Sequence, residues 1–173
     1  MTTNVTYKKA IQDWVERHAC DWIGWYSVSL TMRQSLTAKS SDRTGTFRFN
    51  VDESIASQNM RHFLNRMDKS VLGSSGQRYG KRLGAVPCYE YDDNNRLHYH
   101  LLLKVPNHIT ETKLHYLILA NWMKTKWGLW QIDCQETYSS GWLRYITKET
   151  TMDFANIDFF NTTLTSWVNS RCR

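Results

Sequence analysis

The segment Arg96-Leu-His-Tyr-His-Leu-Leu-Leu-Lys104 carries two histidines at alternate positions. Alternate residues of a strand point the same way, so His98 and His100 share one face, their positions about 7 Å apart. Two imidazoles at that spacing can converge on one divalent cation. The same spacing also fits two solvent-facing histidines on a half-exposed strand. Leu97, Tyr99, Leu101 and Leu103 take the opposite face, where a hydrophobic layer has to pack. Glu90 is the candidate third ligand. A three-residue turn at Asp93–Asn95 pairs Glu90 with His98 and puts the carboxylate on the histidine face. A two-residue turn shifts the register by one and turns it away. Two histidines and a carboxylate leave coordination positions open for water and phosphate oxygens, a set that suits Mg²⁺ or Mn²⁺.

A second constellation lies in Gly141-Trp-Leu-Arg-Tyr-Ile-Thr-Lys148. On a helix, Trp142, Leu143 and Ile146 form an apolar side, while Gly141, Tyr145 and Lys148 group together with Arg144 just beyond. Tyr145 then stands on the border of an apolar and a basic face. A phenol with a pKa near 10 is a weak nucleophile at neutral pH, and a nearby cation would favour its phenolate. Taken alone, a border tyrosine beside a lysine is also an ordinary surface helix.

The elements that position these residues follow from periodicity. Tyr7 to His18 reads as an amphipathic helix on Ile11, Trp14, Val15 and His18. Trp22 to Arg33 alternates, with Tyr26, Val28, Leu30 and Met32 opposite Ser27, Ser29, Thr31 and Arg33, as in a strand with one packed face. Asn50 or Asp52 can cap a helix running to about Lys69, with Ala56, Met60, Phe63, Leu64 and Met67 facing inward. Val71 to Gly84 holds four glycines, Arg78, Lys81, Arg82 and no acidic residue, and reads as a mobile basic loop. It is not a Walker A motif, since Arg82 follows Lys81 where Ser or Thr is required. Strands are expected at about 85–92 and 96–105, a helix over 110–127 stopped by Gly128, a strand over 129–136 and a short helix over 139–150. No structure is assigned to the tail from Asp153 to Val168. The inner βαββαβ order predicts an α+β fold of ferredoxin or RRM-like plan: a four-stranded antiparallel sheet with two helices on one face. An N-terminal helix and the tyrosine-bearing helix are added to it, and the second sheet face stays open.

Composition narrows the function classes. The chain has 173 residues, 22 Lys+Arg against 16 Asp+Glu, a net charge of +6 and 41% hydrophobic residues. One domain with one core is expected over 1–173, its centre at about 22–150 and an extension at 151–173. The positive balance favours a polyanionic partner. No apolar run reaches the roughly 20 residues of a membrane span, and the N-terminus lacks a signal-peptide pattern. Cys20, Cys88, Cys134 and Cys172 show no C-x-x-C spacing, so a disulfide framework and a cysteine zinc site are not expected. An intracellular location follows, cytoplasmic in a prokaryotic host and nuclear in a eukaryotic one.

In combination, three blocks resemble the HUH endonuclease superfamily, specifically the single-tyrosine rolling-circle replication initiators (Rep proteins). Ser29-Leu-Thr-Met-Arg33 is similar to the family's first motif, Leu97-His-Tyr-His-Leu101 to its HUH motif, and Tyr145-Ile-Thr-Lys148 to its Y-x-x-K motif. The resemblance spans about Trp22 to Thr150, and its first block is the loosest match. It implies that His98 and His100, with Glu90, hold Mg²⁺ or Mn²⁺ against a scissile phosphate. It implies that Tyr145 attacks that phosphate in single-stranded or origin-hairpin DNA, giving a 5′-phosphotyrosine and a free 3′-hydroxyl, and that Lys148 orients or neutralises the phosphate. Reversal by another 3′-hydroxyl rejoins DNA without ATP. Host helicase and polymerase are the implied partners. The residues expected to touch DNA are Arg33, Arg78, Lys81, Arg82, Arg144 and, for base stacking, Trp25. Two alternatives remain. An HUH single-strand transposase has the same histidine pair but usually Gln in place of Lys148, and an RRM-like binding module would do no chemistry.

Overall fold

The computed structural model describes residues 24–39, 45–139, 141–146 and 156–163, together with Lys9, Ala10, Asp13 and Arg17. Those four are helical. The rest of the expected N-terminal helix, Lys148 and most of the 151–173 extension lie outside the described residues.

Six strands and three helices follow in the order β1 (Trp25–Met32), β2 (Ser35–Lys39), β3 (Thr46–Asn50), α1 (Glu53–Tyr79), β4 (Gly84–Tyr91), β5 (Leu97–Lys104), α2 (Glu111–Trp122), β6 (Gly128–Glu136) and α3 (Gly141–Ile146). The main sheet has the order β4-β5-β1-β6, and every pairing in it is antiparallel. With the β2–β3 pair set aside, this is the expected βαββαβ plan. The α+β fold is therefore the one the periodicity predicts.

Register sorts the two faces. Val28 pairs with Leu101 and Cys134, and Leu30 with Tyr99 and Ile132, so these rows face the helices. Ala56, Met60, Phe63, Leu64 and Met67 of α1 and Leu114, Ile118 and Trp122 of α2 close the core against them. Phe63 meets Trp122 edge-on at 5.3 Å, and the Trp122 indole donates to the Thr31 carbonyl at 2.7 Å, so this buried ring has its polar atom satisfied. The rows one residue out of step, Ser29 with His100 and Asp133, lie on the other face.

Three expectations need correction. The helix starting at Asp52, whose carboxylate accepts from the Ile55 amide at 2.7 Å, does not stop near Lys69. It runs to Tyr79 through a break at Gly73 (φ 58°, ψ −147°) and ends at a left-handed Gly80. Most of the expected basic loop is therefore helix, because glycine at position 73 absorbs the break instead of terminating the element. Arg82 is also held, by Asp68 at 3.0 Å and by Asn65. The second helix ends at Trp122, not Trp127. Thr125 donates to the Trp122 carbonyl and accepts from the Gly128 amide, and a Cβ at Gly128 would stand 2.1 Å from the Trp122 carbonyl oxygen. Gly128 thus permits a close backbone approach at the start of β6 instead of stopping a helix. Third, residues 35–50, to which no element was assigned, form the β2–β3 ribbon.

Part of the tail docks on the outer edge of β4. Thr163 exchanges two backbone hydrogen bonds with Ala85, and the Asp158 amide donates to the Pro87 carbonyl. Asp158 is buried and accepts hydrogen bonds from Tyr99 at 3.0 Å, Ser57 at 3.0 Å and Asn161 at 2.7 Å. Burial raises the Tyr99 phenol, and the adjacent Asp158 carboxylate raises it further, so the phenol stays a donor. Tyr99→Phe removes one donor from a buried carboxylate. It is expected to lower unfolding free energy in urea by about 1.5–3 kcal/mol; an unchanged midpoint would mean that the Tyr99–Asp158 bond contributes nothing.

Candidate active site

The β4–β5 hairpin decides whether Glu90 joins the histidines. The Asn95 amide donates to the Asp92 carbonyl, and Asn95 takes a left-handed φ of 56°, which asparagine tolerates. Asp92 caps the turn, accepting from the Asn94 and Arg96 amides, and its carboxylate meets Arg96 at 2.7 Å. These bonds to Arg96 hold the Asp92 carboxyl below its ordinary range. The result is a three-residue turn, with Glu90 opposite His98 and Cys88 opposite His100.

The three side chains converge. Glu90 Oε2 lies 2.9 Å from His100 Nε2 and 3.8 Å from His98 Nε2, and the two Nε2 atoms are 3.2 Å apart. Ligand atoms of Glu90, His98 and His100 all fall within 4.8 Å of one another, a group that could hold a metal ion. Adjacent ligands of an octahedral ion with bonds of 2.0–2.1 Å stand about 3.0 Å apart, so the first and third distances already match the edges of such a polyhedron. Carboxylate and imidazole lone pairs at this range repel unless a cation or a shared proton lies between them.

The outer ring nitrogens are also engaged. His100 Nδ1 is 3.0 Å from Ser29 Oγ, and His98 Nδ1 is 3.4 Å from the Arg96 carbonyl. Partners there fix ring orientation and leave Nε2 directed inward, the arrangement typical of metal-binding histidines. Ser29 stands opposite His100 on β1. Its role was hidden in the sequence, where the first block yielded no site residue beyond Arg33.

The short helix α3 brings Tyr145 to this cluster. The Tyr145 ring lies edge-on to His100 at 5.9 Å and stacks on Trp142 at 5.1 Å with an 18° interplanar angle. Trp142 itself meets His100 edge-on at 5.4 Å. Tyr145 remains 44% exposed, so one side of a restrained phenol faces solvent beside the Glu-His-His group. Trp142, read from the sequence as core, is thus a wall of the site.

The other expected residues are placed differently. Trp25 is on the open side of β1, but it is only 5% exposed, with Lys104 Nζ 5.4 Å from its ring centroid. Little of that ring is available to a base. Gly84 pairs with Lys104 at one end of the hairpin and Glu90 with His98 at the other, a separation of about 20 Å along the strand. Arg78, Lys81 and Arg82 precede the distant end, away from the histidines. Arg33 donates to the Lys126 carbonyl at 3.0 Å. The side chain of Arg144, like Lys148, is outside the described residues.

The model of the family described as replication-associated protein ORF2 matches residues 27–153. The chain belongs to that family. It is thereby a Rep-type replication-associated protein, and the matched span includes β1 from Ser27 onward, the Glu-His-His group and Tyr145. No curated protein and no solved structure matches the chain. Among the described residues, no helix is long and apolar enough to cross a membrane.

Proposed function

We infer that this Rep-type protein is a metal-dependent endonuclease of the HUH class, which nicks and rejoins single-stranded DNA to start rolling-circle replication. The observation that carries this reading is the Tyr145 ring 5.9 Å from His100, itself within 2.9 Å of Glu90 and 3.2 Å of His98. A hydroxyl nucleophile thus stands beside a ligand set suited to a hard divalent cation.

Glu90, His98 and His100 hold Mg²⁺ or Mn²⁺; either ion accepts such donors. The bound ion supplies Lewis-acid polarisation of a phosphate oxygen and offsets charge that builds up during displacement. Tyr145 Oη attacks the phosphorus, giving up its proton. The new Tyr–O–P bond replaces the P–O3′ bond, and the departing 3′-oxygen takes a proton to become a free 3′-hydroxyl. One phosphodiester is exchanged for another, so attack by a later 3′-hydroxyl reverses the step and rejoins DNA. Trp142 and His100 restrict the tyrosine ring to one approach, which lowers the ordering cost of reaching in-line geometry. Ser29 acts as a positioning residue for His100. Lys148, one helical turn beyond Tyr145 in sequence, neutralises the phosphate in this reading, with Arg144 nearby. Arg33 and the basic corner at Arg78, Lys81 and Arg82 provide backbone attraction, and binding weakens as salt rises.

The test is covalent capture. The protein is mixed with a randomised single-stranded DNA pool that includes hairpins, with Mn²⁺ or with EDTA, and run on a denaturing gel. A Mn²⁺-dependent adduct mapping to Tyr145 is expected, with yield in EDTA lower by about 10³-fold or more, the scale of several kcal/mol of lost charge stabilisation. An adduct of equal yield in EDTA would sink the metal assignment. Tight DNA binding with no adduct would favour a binding module.

A further inference from the structure

The β2–β3 ribbon is an exposed element that the catalytic reading leaves unused. Leu36 pairs with Phe49 and Ala38 with Phe47, so these four share one face. Phe47 and Phe49 are 58% and 50% exposed, an unusual state for two neighbouring phenylalanines on one surface. Under the root of the ribbon is a cleft of about 350 Å³ lined by Leu36, Phe49, Ile55, His62, Lys126 and Trp127, along with two uncharged polar side chains. Among the described residues, no carboxylate lines it. Its volume is in the range of small-molecule sites, about 300–1,000 Å³. Residues 33–50 carry Arg33, Lys39, Arg43 and Arg48 against the single acid Asp42.

The ribbon's position ties it to the nuclease site. Gln34 at its root donates to the Leu97 carbonyl at 2.9 Å and accepts from the Leu97 amide at 2.7 Å, and His98 follows Leu97 directly. The root is closed by the Val51 amide, which donates to the Gln34 carbonyl. The aromatic face therefore begins next to a metal-ligand candidate.

We propose that the β2–β3 ribbon and the cleft beneath it bind single-stranded DNA beside the nicking site, with unpaired bases stacked on Phe47 and Phe49. This rests on the nuclease reading for its ligand. Aromatic faces in a basic setting match what single strands require: ring surface for bases and cations for phosphates. An exposed ribbon can also present both rings at once, which Trp25 cannot.

The experiment measures anisotropy of a labelled 20-mer oligothymidylate with the unaltered chain, with F47A/F49A and with Y116A, a control at an exposed aromatic on α2. The double substitution is expected to weaken binding by about ten- to a hundredfold and Y116A by less than about twofold. If the unaltered chain has no affinity for the oligonucleotide, the nuclease reading fails and this inference with it. If it binds and F47A/F49A stays within twofold, only this inference is overturned, and the exposed rings are left to a protein partner. Should F47A/F49A lose its near-UV circular dichroism, photocrosslinking of the unaltered chain to a 5-iodouracil oligonucleotide decides. Crosslinks at Phe47, Phe49 or Trp127 support the site, and crosslinks confined to other positions overturn it.

Discussion

Tyr145→Phe is expected to abolish covalent capture and nicking, by about 10⁴-fold or more, while single-stranded DNA affinity changes by less than about twofold. The substitution removes one oxygen and keeps the ring that stacks on Trp142 and meets His100. Geometry and binding surface therefore persist, and only the nucleophile is lost. The same variant separates two roles that a larger change would confuse. Tyr145→Ala would open a gap beside Trp142, so a loss of activity there could reflect a displaced helix. Unchanged nicking by Tyr145→Phe would exclude Tyr145 as nucleophile and turn attention to the other exposed phenols, of which Tyr138 is seven residues upstream and 73% exposed. Tyr138 donates to Glu136 at 2.7 Å, and that bond raises its pKa, which makes it the poorer nucleophile.

How much of this was legible depended on whether a signal was periodic or was set by contacts. The four strands of the main sheet alternate apolar and polar residues because one face is buried, and that pattern survives in one dimension. The convergence of Glu90 with His98 could be stated only conditionally, since it hangs on one residue of turn length. Asp92 and Asn95 settle it through bonds the sequence does not display. Ser29 was invisible as a partner of His100 because nothing local specifies which residue of β1 stands opposite which of β5. The end of α1 was misjudged for a different reason. Glycine is a helix breaker in isolation, yet Gly73 only interrupts this helix, and Gly80 is the residue that ends it. The β2–β3 ribbon did carry a signal, Phe47 and Phe49 alternating with Arg48 after a turn-rich stretch. Both strands are short and β3 is exposed throughout, so no buried face marked them as structure. Trp25 was given to DNA because it shares a strand face with serines and a threonine; the face was right, but burial takes the ring out of reach.

The second large effect concerns the metal, and its best readout is not activity. His100→Ala should remove one of three ligands and also the ring against which Tyr145 and Trp142 rest. Capture is expected to fall by about 10³-fold or more, since several kcal/mol of charge stabilisation is lost along with tyrosine placement. A ligand that binds only the folded chain stabilises it by RT ln(1 + [L]/Kd), about 2.7 kcal/mol at a hundred times Kd. The unaltered protein should therefore melt several degrees higher in Mn²⁺ than in EDTA, and His100→Ala should lose most of that difference. Glu90→Gln sharpens the test, because it preserves the shape of the side chain and removes its charge. If the Glu-His-His group holds a cation, Glu90→Gln also loses the Mn²⁺ shift. Without metal it should melt no lower than the unaltered chain, since the carboxylate then faces only the imidazoles. Should the group instead be a hydrogen-bonded cluster that needs no ion, the outcomes reverse. Mn²⁺ would move neither protein, and Glu90→Gln would melt lower for want of the His100–Glu90 interaction at 2.9 Å. The two melting curves thus decide between a metal centre and a structural histidine pair before any DNA is added.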